Sequence, residues 1–401
     1  MQAAFIAGTV CVVAWVYLLV AHGGFWRIPL APRSPESAGT ESRSLDSLRS
    51  LGMTQRGNRA TENIRIAVVI PARNEADVIG RAVASLLRQD FPGSLKIFVV
   101  DDQSTDGTAE AARRAAGVEG DRVMIIAARP LPPGWTGKLW AVQQGVEQAL
   151  AHRPDFLLLT DADIEHGSDN VRQLTDIAQC GTYELVSYMV KLHCRSFAER
   201  LLIPAFVFYF FMLYPPKWVG DTRRQTAGAA GGCMLIRPAA LERIGGIAAI
   251  RQEIIDDCAL ARAVKQSGGR IWLGATAETR SVRRYRYFRE IERTIARTAF
   301  NQLRHSLWLL LATVIGMLLI YVLPVGLIVS GSARLAAVGA FALAPMFAAY
   351  LPMVRFYGLN PLWALTLPFS AIFYTFATFH SAVKYWRGRG GEWKGRAQDQ
   401  G

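Results

Sequence analysis

At 401 residues, 51% of them hydrophobic, the chain carries apolar material for one large domain or two ordinary ones, and more than a soluble enzyme of this size needs. Its formal charge of +13 calls for an anionic partner, either nucleic acid or a membrane surface. The five cysteines Cys11, Cys180, Cys194, Cys233 and Cys258 form no CxxC pair, which argues against a disulfide framework or a zinc site and fits a reducing compartment.

Residues 1–26 hold no charged side chain, and 3–21 are almost wholly apolar, the length of a helix that crosses a bilayer. No basic residue precedes this stretch and no small-x-small site follows it, so it reads as an anchor rather than a cleaved signal. Residues 27–63 read as a flexible linker, with 32–62 rich in Ser, Thr, Gly and mixed charge. From residue 64 strands and helices alternate. Strands are expected at 64–71, 95–100, 123–127 and 156–160, with helices at 75–89, from about 108, and at 138–152. This order predicts an α/β domain over 64–280 with a mainly parallel sheet and helices on both faces. Ligands in such sheets sit beyond the carboxyl ends of the strands, where the acidic residues of this chain fall.

Inside that region, 201–216 (LLIPAFVFYFFMLYPP) is uncharged, aromatic and read as too short to cross, so it is expected to lie at an interface or wall an acceptor groove. The basic segment 281–305 follows; from Arg280 to His305 there are eight arginines against two glutamates. Phe288, Ile291, Ile295, Ala299 and Leu303 recur there at helical spacing. A basic amphipathic helix beside apolar spans predicts lipid headgroup contact and speaks against nucleic acid. Residues 306–384 contain three uncharged runs separated by Arg334 and Arg355, read as about three transmembrane helices, and 385–401 form a basic tail. The basic central region predicts a cytoplasmic catalytic domain on the inner membrane. Three crossings would put the tail outside, although residues 384–401 carry five Lys/Arg against two acids.

The chemistry-bearing residues cluster after strands. Pro71, Ala72 and Glu75 follow the first, and Asp101, Ser104 and Asp106 follow the second. Asp101 suits a base N–H or ribose hydroxyl, while Ser104 and Asp106 suit the capping of the next helix. The TDAD run places Asp161 and Asp163 just past an apolar strand, where their oxygens suit a hard divalent cation, Mg²⁺ or Mn²⁺, that also binds a diphosphate. Lys138 in GWTGK lies near a helix N-terminus and is either a phosphate or sugar contact or a solvated lysine. Gly231 and Gly232 allow close backbone approach by a substrate, or simply make a turn. Asp256 and Asp257 open a helix and suit general-base work. Arg293, Arg297 and Arg304 are candidates for acceptor or phosphate contact.

Taken together, PARNE, VVDDQSTDGT, GWTGK, TDAD and a DD-x-x-L-x-R block resemble the family 2 glycosyltransferases, which have the GT-A fold. The resemblance covers residues 64–273 and is nearest to the membrane-bound, hopanoid-associated bacterial enzymes; ceramide glucosyltransferases share the layout more distantly. It implies that Pro71, Ala72, Glu75 and Asp101 hold the nucleoside and that Asp161 and Asp163 sit at metal and diphosphate. It places Lys138 near phosphates or donor sugar and makes Asp257 the general base, beside Asp256 where the family usually has Glu. The Gln-x-x-Arg-Trp block of processive synthases is absent. The implied activity is an inverting transfer of one sugar from a nucleotide-sugar donor to a membrane lipid. The alternatives are a processive polysaccharide synthase, a polyprenyl-phosphate glycosyltransferase, or a non-catalytic scaffold of the same fold.

Overall fold

The computed structural model describes residues 2–31 and 63–388. Of the linker expected over 27–63, residues 32–62 lie outside the described residues, as does most of the expected basic tail; Pro29 and Ala31, at its start, are hydrogen-bonded to Ala275. In chain order the main elements are α1 (Gln2–Val20), β1 (Arg65–Ala72), α2 (Ala76–Leu87), β2 (Ser94–Asp101), α3 (Thr108–Ala116), β3 (Val123–Ala127), α4 (Gly137–Leu150), β4 (Phe156–Leu159), β5 (Ile164–Glu165) and α5 (Asn170–Cys180). There follow β6 (Leu185–Lys191), α6 (Phe197–Leu213), α7 (Pro216–Gly220), β7 (Met234–Ile236), α8 (Pro238–Arg243), α9 (Asp256–Gln266) and β8 (Ile271–Ser281). The chain ends with α10 (Phe288–Gln302), α11 (Leu307–Met317), α12 (Leu323–Ile328), α13 (Ala333–Phe356) and α14 (Leu367–Trp386). These elements divide into two compact units. A sheet unit takes 29–31, 63–192 and 218–283, and a helical unit takes 2–28, 193–217 and 284–388.

The sheet unit is an α/β fold built on one eight-stranded sheet, ordered β3-β2-β1-β4-β7-β6-β8-β5. The first four strands are parallel. The expectation of a mainly parallel sheet holds for this half and weakens beyond it, because β7 runs antiparallel to both β4 and β6. Along β1 every residue after Arg65 is buried, as a strand covered on both faces requires. Ile66, Val68 and Ile70 pack with Ile79, Val83 and Leu86 of α2. Val69 turns to the opposite face, against α4. There Gly145 is required, since a Cβ would lie 2.5 Å from Val69 Cγ1 and 2.9 Å from Val100 Cγ2. The register sets Ala72 beside Asp101 and Val69 beside Leu159, so the ends of β1, β2 and β4 open at one edge.

Five described stretches are helical, long and apolar enough to cross a membrane: Gln2–Val20, Phe197–Gly220, Leu307–Ile328, Ala333–Phe356 and Pro361–Trp386. The second contains 201–216, read as too short to cross, and consists of the 17-residue α6 followed, after a break at 214–215, by the short α7. It still cannot be a net crossing. β6, which precedes it, and β7, which follows it, are hydrogen-bonded neighbours in one sheet, so the chain must return to the side it left. Within the helical unit α10 runs alongside α14 in the same direction. Phe288 meets Phe373, Glu292 meets His380, and Phe300 meets Ser381 and Tyr385. The buried Glu292 carboxylate lies 2.6 Å from His380 Nδ1 and 3.9 Å from Lys384 Nζ, which places a polar cluster on the last two turns of α14.

Candidate active site

Where β1 and β2 end, two loops are laced together by short polar side chains. Asn74 N–H donates to Ser104 Oγ at 2.9 Å, Thr105 N–H to Asn74 Oδ1 at 2.9 Å, and Glu75 N–H to Thr108 Oγ1 at 2.8 Å. Against a desolvation that would raise it, Asp106 accepts from the Thr108 hydroxyl at 2.5 Å and from the N–H groups of Ala76 and Thr108, which keeps its carboxyl below the usual range. Asp101 Oδ1 accepts from Ser104 N–H at 3.2 Å, so part of its work is local turn bonding. Pro71 and Ala72 are buried at the rim of this edge.

The centre of the site is Lys138, on the first turn of α4 behind the N-cap Thr136, whose hydroxyl accepts from Leu139 N–H. Its ammonium lies 3.0 Å from Asp161 Oδ1 and 3.0 Å from Asp256 Oδ2, tying the end of β4 to the start of α9. Burial works against the Lys138 charge, but the fields of Asp161, Asp256 and Asp257 outweigh it and keep the ammonium protonated. Asp257 Oδ2 accepts from Gly231 N–H at 2.8 Å and Oδ1 from Cys258 N–H at 2.7 Å. Burial, reinforced by repulsion from Asp256 and opposed by Lys138, pushes its carboxyl up to about 6. Asp161 is raised too, first by burial and then by repulsion from Asp163 and Asp256, with Lys138 acting against both. Pro71, Lys138, Asp161, Gly231 and Asp256 line one cavity, closed on its apolar side by Leu139, Ile247 and Leu260.

At Gly231 the backbone comes close to both kinds of charge. A Cβ there would stand 3.3 Å from Asp257 Oδ2 and 3.6 Å from Lys138 Nζ. Gly232 donates nothing to the cavity, but its carbonyl accepts from Thr160 Oγ1 at 2.7 Å, pinning the glycine run to the end of β4.

Asp163 has other partners. Its Oδ2 accepts from Ser281 Oγ at 2.5 Å and lies 3.5 Å from Arg283 Nε, while Arg283 Nη2 donates to Glu75 Oε1 at 2.6 Å. Arg283 thus joins the PARNE loop to the TDAD loop, a role the sequence reading missed. Ser281 and Arg283 alternate along the end of β8 and its continuation, so period two would have placed them on one face. Among the described residues no three His, Cys, Asp or Glu side chains form a metal-ligating cluster. However, Asp161, Asp256 and Asp257 share the single cation Lys138, while Asp163 and Glu75 share Arg283, so the carboxylates outnumber the cations and their oxygens fit a hard divalent cation. Arg293 and Arg297 are exposed on α10 and Arg304 just beyond it, all in the helical unit, and none lines the cavity at Lys138.

Residues 64–301, more than half of the chain, match the family model described as "Glycosyltransferase like family 2". A curated relative, 4,4'-diaponeurosporenoate glycosyltransferase of Staphylococcus aureus, is 35% identical over 99 residues, which are 25% of this chain and 24% of the relative. The match therefore spans about a quarter of that relative's own length. Among solved structures, a mannosyltransferase of Pyrobaculum calidifontis in complex with GDP-Man and Mn²⁺ aligns over 90% of this chain and 99% of its own, at 18% identity and a TM-score of 0.47. Glucosyl-3-phosphoglycerate synthase of Mycobacterium tuberculosis, with Mg²⁺ and UDP, aligns over 68% and 86% at 17% identity and a TM-score of 0.39. With the family match spanning the sheet unit and its motifs, the chain belongs to the family 2 glycosyltransferases of GT-A fold, enzymes that transfer a sugar from a nucleotide-sugar donor.

Proposed function

We propose that this enzyme transfers a single sugar, with inversion, to a hydroxyl of a membrane lipid on the cytoplasmic face of the inner membrane. The observation that carries the reading is the Lys138 ammonium shared by Asp161 and Asp256, with Asp257 held beside it by Gly231 N–H. Asp257 is the base. It takes the proton of the acceptor hydroxyl while the acceptor oxygen bonds to the anomeric carbon; the bond from that carbon to the diphosphate oxygen breaks, and the nucleoside diphosphate leaves with the electron pair. A carboxyl whose pKa is raised toward neutrality is a better proton acceptor here than an ordinary surface aspartate. Lys138 keeps Asp256 and Asp161 oriented and offers positive charge on the donor side. Asp161 and Asp163 would hold a divalent cation, Mg²⁺ or Mn²⁺, whose chemistry when bound is to stabilise negative charge on the diphosphate. Pro71, Ala72, Glu75 and Asp101 are assigned to the nucleoside, and Arg293, Arg297 and Arg304 to contacts with acceptor or headgroups.

The lipid acceptor is supported by the apolar helices that bracket the sheet unit in sequence. The acceptor named for the S. aureus relative is a single organic acid rather than a polysaccharide, which favours one transfer over processive synthesis. A hopanoid-type lipid is the acceptor class that the sequence resemblance suggests. We assign catalysis to 64–280 and the membrane interface to 281–305.

The test is a panel of nucleotide sugars incubated with purified membranes, followed by analysis of the lipid extract. One glycolipid should form, Asp257→Asn should stop it while nucleotide still binds, and chelation should stop it until Mg²⁺ or Mn²⁺ is returned. A ladder of products would reject single transfer. Wild-type turnover by the Asp257→Asn enzyme would reject the base.

A further inference from the structure

The start of α6, in the helical unit, carries a feature that the transfer reaction leaves unused. A cavity of about 230 Å³ opens between residues 193–199 and residues 284–286. The two sides are clamped by Glu199, which is 1% exposed. Its carboxylate accepts from the N–H groups of Arg195 and Ser196 at 2.8 Å and of Tyr285 at 2.7 Å, and lies 2.8 Å from His193 Nδ1. Ser196 Oγ completes the clamp by donating to the Tyr285 carbonyl at 3.0 Å.

The charge balance of this cavity is one-sided. Four donors are spent on the single buried carboxylate, so Glu199 has little left to offer a cation. By contrast, the guanidiniums of Arg195, Arg284 and Arg286 are exposed and form no ion pair with a described residue. The clamp thus fixes the backbone that carries three exposed positive charges around one opening. The neighbouring side chains are aromatic and exposed: Phe197 at 66%, Tyr287 at 68% and Phe288 at 40%. Phe197 packs against Phe288 and Trp363, making an aromatic band of the kind that sits at headgroup level. Arginine forks suit carboxylate and phosphate oxygens, and an apolar rim suits an attached acyl or polycyclic tail.

We infer that this cavity binds the anionic headgroup, phosphate or carboxylate, of a membrane amphiphile. The inference rests on the membrane reading above, and its test keeps the two apart. Insertion is read first, by retention of the full chain in carbonate-washed membranes. The chain purified in a neutral detergent is then titrated with short-chain phosphatidic acid, short-chain phosphatidylcholine and inorganic phosphate, with binding followed by native mass spectrometry. Phosphatidic acid should bind best. The triple variant Arg195→Gln, Arg284→Gln, Arg286→Gln should weaken it on the order of a hundredfold, from roughly fivefold for each arginine. A charge-matched control, Arg334→Gln, Arg355→Gln, Arg387→Gln, should bind as wild type does. If the first triple variant does not fold, Arg286→Gln alone should weaken binding about fivefold. Undiminished binding by the cavity variant would overturn the inference, as would equal binding of phosphatidylcholine. Inorganic phosphate binding as tightly as the lipid would assign the cavity to a free anion and overturn its lipid part.

Discussion

Replacing Lys138 by Gln puts the proposed arrangement of charge to its sharpest test. The ammonium stands 3.0 Å from both Asp161 and Asp256 and holds down the carboxyl of Asp257, so its loss leaves three neighbouring carboxylates without that cation. Breaking a fully buried ion pair from one side costs about 3–5 kcal/mol. The Asp161 side chain is 36% exposed and that of Lys138 21%, so water screens part of this, and about 2–3 kcal/mol remains at pH 8. For a unit of this size that is a fall in Tm of roughly 4–12 °C. The loss must also depend on pH. Without Lys138 the folded pKa values of Asp161 and Asp257, already raised by burial, rise further above their unfolded values. Such groups contribute stability that is present below the unfolded pKa and lost as pH rises through the folded one. The deficit against wild type should therefore be small near pH 5 and grow towards pH 8. Thermal unfolding of detergent-purified Lys138→Gln and Lys138→Arg, each at the two pH values, measures it, and the arginine variant should recover most of the loss. A deficit of equal size at both pH values would mean that Lys138 is a packing residue, and the electrostatic account of the site would fail.

Two further outcomes follow from the same geometry. If Asp257 is the base, kcat/KM should fall about tenfold per pH unit below about 6, as its proton returns, and a profile flat down to pH 5 would exclude it. The side of the C-terminus is the other. Pro361–Trp386 is long enough to cross, but α14 lies along the charged α10 from Phe373 onward and its last turns carry the Glu292–His380–Lys384 cluster, so we predict that it does not cross. A cysteine placed after Trp386 should react with an impermeant maleimide from the same side as one in the sheet unit; labelling from opposite sides would show that α14 spans.

What the sequence disclosed, and what it withheld, divides along the range of the interactions involved. β3 is found at 123–127, where its β-rich run predicts it, and α9 opens at Asp256, because both are set by local pattern. The antiparallel direction of β7 could not be foreseen. It is three residues long, and its direction depends on the 42-residue excursion from β6, which carries no orientation signal of its own. The acidic residues at strand ends were visible as motifs, yet their partners were not. Lys138 meets Asp256 across more than a hundred residues, and Arg283 meets Glu75 across 208.

The basic run between Arg280 and His305 shows why such partners are hidden. Read as composition, it is one positive face on an amphipathic helix. In the structure adjacent arginines have separate fates: Arg283 ends the sheet unit on Glu75 and Asp163, whereas Arg284 and Arg286 open onto the Glu199-clamped cavity. The charge of neighbouring residues sums in sequence, but beyond the end of β8 successive arginines serve different sites. The basic residues are therefore not a single electrostatic surface. Some, such as Arg283, neutralise carboxylates inside the fold, and the excess that leaves the chain at +13 is carried by others, available to an anionic headgroup.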